Sequence, residues 1–508
     1  MQVKSKGTVY LVGAGPGDAG LLTLRGAELL QGADVVICDV LVNPELLRLV
    51  PAGAEIIGRG NQKRDGGLTQ EQIIELMIAR AGEGKTVVRL KGGDPFIFGR
   101  GAEEAEALVA EKIPFAVVPG VSSVVAAASY AGIPLTHRAH CSSFTVFTGH
   151  SDSAEPSTAL RYEQIAKIPG TKVVLMGTDN LADWTKALVA HGMPPETPVA
   201  VVHRGTTGRQ KSVAGTLATI ARLAAQEKIA PPAVTIVGEV VKLREKLNWF
   251  ERLPLFGKRI VVTRSRAQAG KFSKKLSTLG AEVIELPAVK SEMPDNKGDF
   301  IDALLELNAY DWLVFTSANG VATFFDFFFR RFKDLRDIGG AKIAAVGPAT
   351  AAKLREFHLQ VDLMPDEFTG RKIAEAFAKH SSIENTRICL WRAEKANPDL
   401  PDALGELGAI VDDIGIYKTV GETEDFFGAA EDFRQHGADW LTFTSGSTVE
   451  FFHSRFDLPK LMKHFPKMRI ASIGPETSKA VAALGLTPAL EAKEHTTDGL
   501  IGALLKNG

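Results

Sequence analysis

The second half of this 508-residue chain repeats itself, and the length of the repeat restricts the folds that it can adopt. The segment DWLVFTS at residues 311–317 returns as DWLTFTS at residues 439–445, an offset of 128 residues (439 − 311). The run RIVVTR at residues 259–264 returns as RICLWR at residues 387–392, at the same offset. A unit of this length is far longer than a solenoid repeat, so the pattern predicts two similar α/β lobes.

Each lobe contains a strand that runs into Thr-Ser and then into a helix, and crossovers of this kind require a parallel sheet. Helix N-termini with hydroxyl groups and free backbone N–H groups bind carboxylates readily. Five residues at these N-termini are therefore candidates for binding an anionic substrate: Ser317 and Asn319 in one lobe, and Ser445, Ser447 and Thr448 in the other. Ordinary N-capping of each helix is the competing interpretation.

The segment 247–258, LNWFERLPLFGK, separates this repeat from a first half in which no internal duplication is detectable. Pro254 and Gly257 punctuate the segment, as is common between folding units, and a new strand pattern begins at Arg259. We therefore expect two proteins joined in one chain, with three or four folding units in total.

Loops rich in glycine and proline follow three predicted strands of the first half. The strand at 9–12 runs into GAGPGD, the strand at 86–90 into KGGDPFIFGRG, and the strand at 115–118 into PGVSS. Ligands of open α/β sheets bind at the carboxyl ends of the strands, so the three loops predict one shared crevice. A further set of strands predicts a second α/β lobe over about 139–246: residues 144–147, 173–176, 199–202 and 234–237.

The first of these loops departs from a dinucleotide-binding fingerprint. Asp18 stands where that motif requires its third glycine, and Pro16 removes a backbone N–H that would bind phosphate. A nicotinamide-dependent oxidoreductase built on this loop is an alternative function, and both residues argue against it.

The bulk properties exclude several other classes. The formal net charge of −1 gives no overall attraction to nucleic acid or to an anionic membrane, and we expect neither as a partner. The three cysteines, Cys38, Cys141 and Cys389, have no disulfide or metal-site spacing, which favours a reducing cytoplasm and no metal. The sequence also predicts no signal peptide and no membrane span.

Five strings of the first half, read together, resemble uroporphyrinogen-III C-methyltransferases. They are GAGPGD, LKGGDPFIFGRG, VVPGVSS, AGIPLTHR and PPAVTIVGEVVKLREKLNWF, and they extend over nearly all of residues 8–250 in the family's order. The resemblance implies a cleft between two α/β lobes that holds S-adenosylmethionine. It also implies two methylations of uroporphyrinogen III to precorrin-2, and a homodimer formed through this half.

Site residues follow from the same resemblance, position by position. Asp39 matches the family's proton-accepting Asp, with capping of a turn as the competing role. Arg59 stands where relatives have a proton-donating Lys, and because Arg is a poor acid we expect it to clamp a substrate carboxylate. The residues matched to the S-adenosylmethionine site are Pro16, Gly92, Gly93, Asp94, Ile97, Ser122, Ser123, Met176 and Gly205.

The second half resembles uroporphyrinogen-III synthases over its full length, through VVTR, FTSANGV, AVGPATA, FTSGSTV, SIGPETS and HTTDGL. The resemblance implies that the chain crosses twice between two lobes, near Leu286 to Val289 and near Ile414 to Tyr417. It also implies cyclisation of hydroxymethylbilane to uroporphyrinogen III. Tyr417 matches a Tyr that assists loss of the substrate hydroxyl, and packing at the hinge is its alternative role.

The two resemblances together predict a bifunctional enzyme that makes uroporphyrinogen III and methylates it to precorrin-2. The predicted domains are 1–250, with lobes of about 1–138 and 139–246, and 255–508. In the latter, lobe A comprises about 255–287 plus 417–508, and lobe B about 288–414. A non-catalytic tetrapyrrole carrier is a further alternative, and the sequence leaves open whether the product serves cobalamin or sirohaem biosynthesis.

Overall fold

The computed structural model describes residues 6–51, 53–58, 67–149, 160–367, 370–425 and 428–507. Within them lie four five-stranded sheets, two in each half of the chain. The strands of the first half are β1 Val9–Gly13, β2 Val35–Cys38, β3 Glu55–Gly58, β4 Val87–Lys91, β5 Phe115–Val118, β6 Phe144–Thr148, β7 Thr171–Leu175, β8 Pro198–His203, β9 Lys211–Thr216 and β10 Ala233–Val237. Its helices are Leu24–Gln31, Gln70–Gly82, Gly101–Ala110, Ser123–Tyr130, Tyr162–Lys167, Leu181–Ala190, Ile220–Gln226 and Arg244–Leu247.

The first sheet is entirely parallel, with the order β3-β2-β4-β1-β5. Its central strands are buried because helices cover both faces, and this explains the nearly continuous apolar sequence of β1 and β2. The capping box predicted at Thr69 and Gln72 is present and begins the helix Gln70–Gly82. The doubly wound arrangement brings the carboxyl ends of β1, β2, β4 and β5 to one edge of the sheet.

The second sheet has the order β6-β7-β10-β8-β9 and is mixed. Its β6 and β7 are parallel, whereas the other neighbours are antiparallel. The predicted lobe is confirmed, but the sequence pattern missed β9. This edge strand, KSVAGT, is mostly half-exposed and contains Gly215, so it lacks the apolar run by which the others were found.

The second half contains β11 Arg259–Val262, β12 Glu282–Glu285, β13 Val289–Glu292, β14 Trp312–Phe315, β15 Lys342–Ala345, β16 Arg387–Ala393, β17 Ile410–Gly421, β18 Trp440–Phe443, β19 Arg469–Ser472 and β20 Leu490–Glu491. Its helices are Arg266–Thr278, Gly298–Leu305, Ala318–Arg331, Pro348–Glu356, Gly370–His380, Asp399–Glu406, Ala429–His436, Gly446–Phe456, Leu458–His464, Pro475–Ala482 and Thr497–Asn507. The parallel sheet of lobe A has the order β12-β11-β18-β19-β20. That of lobe B has the order β13-β17-β16-β14-β15, in which only β13 is antiparallel to its neighbour.

The strands β13 and β17 join the two lobes. The first crossing, at 286–289, lies between β12 of lobe A and β13 of lobe B, where the sequence places it. The second crossing lies later than the sequence places it, because β17 continues through Tyr417 to Gly421 within the lobe B sheet. Its final residues pair with Val289–Glu292, and this pairing holds the chain in the sheet beyond Ile414.

The two halves of the chain are in direct contact through lobe A. Arg209, from the loop after β8, forms ion pairs with Glu282 and with Asp432, which also bind Arg259. A Cβ atom at Gly208 would overlap the backbone of Glu282, so the two backbones approach as closely as glycine permits.

Candidate active sites

The loops after β1, β4 and β5 meet backbone to backbone at the edge of the first sheet. Gly15 and Gly93 exchange hydrogen bonds, with Gly93 N–H donating at 2.7 Å and Gly15 N–H at 3.2 Å. A Cβ atom on Gly13 would lie 2.5 Å from Gly120 Cα, and one on Gly120 would overlap Gly93 O. The shared crevice predicted from three separate loops is therefore built on contacts that only glycine allows.

At part of this sheet edge the backbone has free space beside it. A Cβ atom on Gly92 would meet only Leu41 Cβ, at 3.6 Å, and one on Gly93 would find its nearest neighbours at 3.8 Å or beyond. Gly93 also has φ of +67°, which side-chain-bearing residues rarely adopt. This cradle fits a nucleoside or amino-acid moiety lying directly against the main chain.

Asp94 fixes the shape of this cradle. Its Oδ1 accepts from Phe96 N–H at 2.9 Å, and its Oδ2 accepts from Gly120 N–H at 3.0 Å. The carboxylate thus caps its own loop and ties it to the loop after β5. Each oxygen retains a second lone pair, so a ligand hydroxyl or amine can still donate to it.

The structure gathers most of the other predicted cofactor-binding residues around these loops. Ser122 caps the helix Ser123–Tyr130, and Ile97 lies in the loop after β4 with its side chain 43% exposed. Gly205 belongs to the second lobe, and its carbonyl oxygen would lie 3.4 Å from a Cβ atom on Gly17, next to Pro16. Met176 also belongs to the second lobe, where it follows β7 with φ of +52° and a half-exposed side chain.

Asp39 directly follows β2 and is held by Arg89 of β4. Arg89 Nη2 donates to Asp39 Oδ1 at 2.5 Å, and the Arg89 side chain is completely buried. Although burial opposes the charge of Arg89, the carboxylates of Asp39 and Glu104 raise its pKa. The buried guanidinium therefore holds the Asp39 carboxylate in place at the end of β2. Arg59, the other predicted catalytic residue of this half, lies outside the described residues.

A buried polar cluster that was not predicted from the sequence holds Arg89, the partner of Asp39. Glu104 Oε1 accepts from Arg89, Lys91 and Gln70 at 3.1, 2.9 and 2.9 Å, and its Oε2 is buried with no hydrogen-bond partner. Burial, helped by the positive charge of Arg89, lowers the pKa of Lys91. The cluster could have been predicted from Arg89 and Lys91, which stand at alternate positions of a buried strand, because buried charges require partners.

Three further residues anchor the first loop and were also missed. Tyr130 donates to Asp18 Oδ2 at 2.6 Å, Thr206 Oγ1 accepts from Asp18 N–H at 3.1 Å, and Asn43 donates to Gly17 O at 2.7 Å. Asp18, which breaks the dinucleotide fingerprint, thus joins the two lobes of this half. None of the three partners could be identified from sequence, because they are remote along the chain.

In the second half, the end of β14 brings two predicted residues together. The hydroxyls of Ser317 and Tyr417 lie 2.9 Å apart, and Ser317 Oγ also accepts from Gly320 N–H at 3.0 Å. Tyr417 is 7% exposed. Burial raises its pKa, opposed by the Ser317 hydrogen bond, so its phenol is a neutral hydrogen-bond donor.

The equivalent end of β18 in lobe A is mainly a capping structure. Ser445 Oγ accepts from Thr448 N–H at 3.2 Å, and Thr448 Oγ1 accepts from Ser445 N–H at 3.3 Å. Thr448 is buried, whereas Ser447 Oγ lies 3.0 Å from Ser445 Oγ at the helix N-terminus. Both lobes therefore show the predicted N-caps, and the ligand role of these residues remains a prediction.

A polar bridge connects the two lobes beside these helix N-termini. Gln268 of lobe A donates to Asn319 Oδ1 at 2.8 Å, and Asn319 donates to Ser291 of β13 at 3.2 Å. The predicted residue Asn319 thus lies where the lobes face each other.

Two features are absent from the residues that the structure describes. No group of three or more His, Cys, Asp or Glu residues there is arranged to hold a metal ion. Within the same residues, no helix has the length and apolar character required to cross a membrane.

Comparison with protein families gives one match in each half. Residues 8–221 match the tetrapyrrole (corrin/porphyrin) methylases, and residues 270–502 match uroporphyrinogen-III synthase HemD. The fold and its two sites therefore define a two-part enzyme of tetrapyrrole metabolism. Over 504 residues the chain is 38% identical to the porphyrin biosynthesis protein HemD of Ruminiclostridium josui, which covers 99% of this chain and 98% of that protein. The chain belongs to this family, as a tetrapyrrole methylase fused to a uroporphyrinogen-III synthase, and the predicted family is confirmed.

Two further relatives match about half of the chain and are methyltransferases. The chain is 49% identical over 242 residues to the S-adenosyl-L-methionine-dependent uroporphyrinogen III methyltransferase of Methanosarcina barkeri, covering 48% of this chain and 95% of that protein. A solved uroporphyrin-III C-methyl transferase from Thermus thermophilus, complexed with S-adenyl homocysteine, is 39% identical. It covers 47% of this chain and 100% of its own, with a TM-score of 0.40. Neither family match supports a nicotinamide-dependent oxidoreductase.

Proposed function

We propose that the second half cyclises hydroxymethylbilane to uroporphyrinogen III and that the first half methylates this product twice, giving precorrin-2. The observation that carries the proposal is the open Gly92–Gly93 backbone at the same sheet edge as Asp39, whose carboxylate Arg89 holds. The similarity of the first half to an S-adenosylmethionine-dependent uroporphyrinogen III methyltransferase supports the same assignment.

In the methyltransferase site, the residues that would hold S-adenosylmethionine are those of the three glycine loops and of the second-lobe edge. They are Pro16, Gly92, Gly93, Asp94, Ile97, Ser122, Ser123, Met176 and Gly205. The bound cofactor supplies an electrophilic methyl group on a sulfonium. The protein's main task is then to position the macrocycle, because an in-line displacement depends on orientation. Asp39 accepts the proton that leaves the macrocycle as the methylated product forms.

In the synthase site, catalysis depends on shape and hydrogen bonding. Tyr417, oriented by Ser317, donates a hydrogen bond to the departing hydroxyl of the linear substrate. The helix N-termini at Ser317, Asn319, Ser445, Ser447 and Thr448 face the substrate carboxylates with their partial positive charge. Both lobes present such a helix N-terminus, and this arrangement suits a chain of pyrroles with carboxylates along its length.

Fusion of the two halves is chemically reasonable because the product of one is the substrate of the other. Domain limits of 1–250 and 255–508, a cytoplasmic location and a homodimer formed through the first half belong to this proposal. Sedimentation of the whole chain tests the dimer. Precorrin-2 is common to sirohaem and cobalamin biosynthesis, and the chain acts before those routes separate.

A coupled assay tests the proposed function directly. The whole chain receives hydroxymethylbilane and S-adenosylmethionine, and the absorbance of precorrin-2 is followed. Formation of the III isomer without S-adenosylmethionine would show the synthase step alone and would exclude a non-catalytic carrier. A chain that neither forms the III isomer above the spontaneous I isomer nor binds S-adenosylmethionine would refute both assignments.

A further inference from the structure

An arginine occurs at equivalent positions in the two lobes of the second half, but its hydrogen-bond partners differ between them. In lobe B, Arg392 at the end of β16 forms a bidentate ion pair with Asp413 of the neighbouring strand β17. Its Nε donates to Asp413 Oδ1 at 2.5 Å and its Nη2 to Oδ2. The strands are in register, with Leu390 opposite Asp413. The positive charge of Arg392 is therefore neutralised by a carboxylate of its own lobe.

Lobe A has the same two positions but not the same ion pair. Arg264 is the repeat equivalent of Arg392, and Glu285 is that of Asp413, since Val262 lies opposite Glu285 in the sheet. Glu285 instead forms its ion pair with Arg48, which comes from the first half of the chain. The side chains of Arg48 and Glu285 are each 24% exposed, so this is a largely shielded contact.

Arg264 is left without a carboxylate. Its Nη2 donates to Gln268 Oε1 at 2.9 Å, and its Nε is buried with no hydrogen-bond partner. In the described part of the chain, no acidic side chain lies within ion-pair distance of it. Burial lowers the pKa of Arg264. A shielded guanidinium with unused donors is costly to keep unless something else binds it.

The position of Arg264 indicates what that partner is. Its acceptor Gln268 also forms the bridge to Asn319 across the two lobes, so Arg264 lies beside the face that lobe B presents. A linear tetrapyrrole held between the lobes carries several carboxylates, and guanidinium binds a carboxylate through two parallel hydrogen bonds.

We propose that Arg264 binds a carboxylate of the linear tetrapyrrole in the cleft between the lobes, and that Arg48 keeps Arg264 available by occupying Glu285. The proposal rests on the synthase activity proposed above. It makes the first half of the chain a determinant of substrate binding in the second half, through one ion pair.

The packing around Arg48 supports this role. Gly270 lies within the helix Arg266–Thr278, where glycine is less favourable than alanine. A Cβ atom at Gly270 would lie 2.7 Å from Arg48 Nη1. The missing side chain therefore provides the space in which Arg48 reaches Glu285.

The first experiment measures bilane cyclisation by the whole chain, with wild type beside Arg264→Gln and Arg264→Lys. We expect Arg264→Gln to raise KM about tenfold to a hundredfold with a much smaller change in kcat, because a charge-assisted bond to the substrate is lost. Arg264→Lys should have a smaller effect. An unchanged KM in a variant that still binds S-adenosylmethionine would overturn the proposal. Absence of turnover in wild type would instead refute the synthase assignment.

The second experiment tests the role of Arg48 and does not require changing Arg264. In Arg48→Met, Glu285 is free to pair with Arg264 as Asp413 does with Arg392, so KM for hydroxymethylbilane should rise about tenfold. The double variant Arg48→Met/Glu285→Gln removes the competing carboxylate and should restore the wild-type KM. Arg209→Met is the matched control, because it breaks ion pairs between the same halves without releasing Glu285. A rise in KM that Glu285→Gln fails to reverse, or that Arg209→Met reproduces, would overturn the coupling.

Discussion

At the level of single residues, the proposed methyl transfer depends on the carboxylate of Asp39. We predict that Asp39→Asn lowers methylation about 100- to 10,000-fold, because the amide cannot accept a proton. Affinity for S-adenosylmethionine should be retained, since Asp39 lies outside the glycine loops. Methylation is measured as precorrin-2 absorbance and cofactor affinity by calorimetric titration. Methylation at the wild-type rate would return Asp39 to the role of a structural partner for Arg89.

Tyr417 carries the corresponding prediction for the synthase. Tyr417→Phe removes the hydroxyl that lies 2.9 Å from Ser317 Oγ and should slow cyclisation about tenfold or more, as expected when a transition-state hydrogen bond is lost. The ring still fills its buried position, so the melting temperature should change little. Unaltered cyclisation kinetics would remove Tyr417 from the mechanism and leave it a packing role.

Arg59 supports a third prediction, made from sequence alone. Replacement by Lys, the residue of related enzymes, should weaken uroporphyrinogen III binding because an ammonium cannot form the bidentate contact of a guanidinium. Steady-state methylation over a range of uroporphyrinogen III concentrations measures this. Intact affinity with faster turnover would favour acid catalysis at this position instead of a carboxylate clamp.

At the level of secondary-structure elements, some glycines of the loops are expected to serve stability and others ligand binding. Gly120→Ala places a Cβ atom against Gly93 O and should destabilise the first half by about 1–3 kcal/mol. Gly92→Ala meets only one side chain at an ordinary contact distance, so folding should be nearly unchanged while cofactor affinity falls. Urea unfolding and S-adenosylmethionine titration of the two variants distinguish these effects. Equal stability losses would contradict the open cradle at Gly92.

The buried cluster under β4 gives a prediction about the same element. Glu104→Ala leaves the buried side chains of Arg89 and Lys91 without their shared carboxylate and should cost about 3–5 kcal/mol of unfolding free energy. Denaturant unfolding measures the loss. A variant as stable as wild type would show that solvent reaches these side chains in solution.

At the level of the whole molecule, the structure shows two enzymes in contact through lobe A. The ion pairs of Arg209 and the close approach at Gly208 lie at this contact. The ion pair between Arg48 and Glu285 adds a second contact, at the carboxyl end of β12. Because these contacts are partly buried, they fix one half against the other more firmly than surface ion pairs do.

The resulting prediction concerns cooperativity between the halves. Gly208→Ala forces a side chain against the backbone of Glu282 and should separate the contact, so calorimetry should resolve two unfolding transitions where wild type is more cooperative. The kcat of bilane cyclisation by the variant should persist, since Gly208 lies outside the synthase cleft, whereas its KM should rise if the separation also breaks the ion pair of Arg48 with Glu285. The same transition profile in both proteins would show that the halves unfold independently.

The class of fold, the existence of two halves and the approximate positions of most strands of the first half could be predicted from the sequence. Apolar runs, glycine loops and helix caps each depend on residues that are close along the chain, and the internal repeat is visible when two segments are compared. The prediction failed for β9, an edge strand with little apolar content, and for the second crossing, because the length of β17 depends on pairing with β13. In both cases the outcome depends on a partner strand, which periodicity does not reveal.

The pairing of polar groups that are remote along the chain is visible only in the folded structure. Asp39 and Arg89, Ser317 and Tyr417, and Arg48 and Glu285 are separated by 50, 100 and 237 residues, respectively. Charges and hydroxyls at such separations find partners only after the sheets have assembled, because burial makes an unpaired polar group costly. The repeat predicts that Arg264 and Arg392 occupy equivalent places. Only the folded chain shows that one is neutralised within its lobe while the other is not.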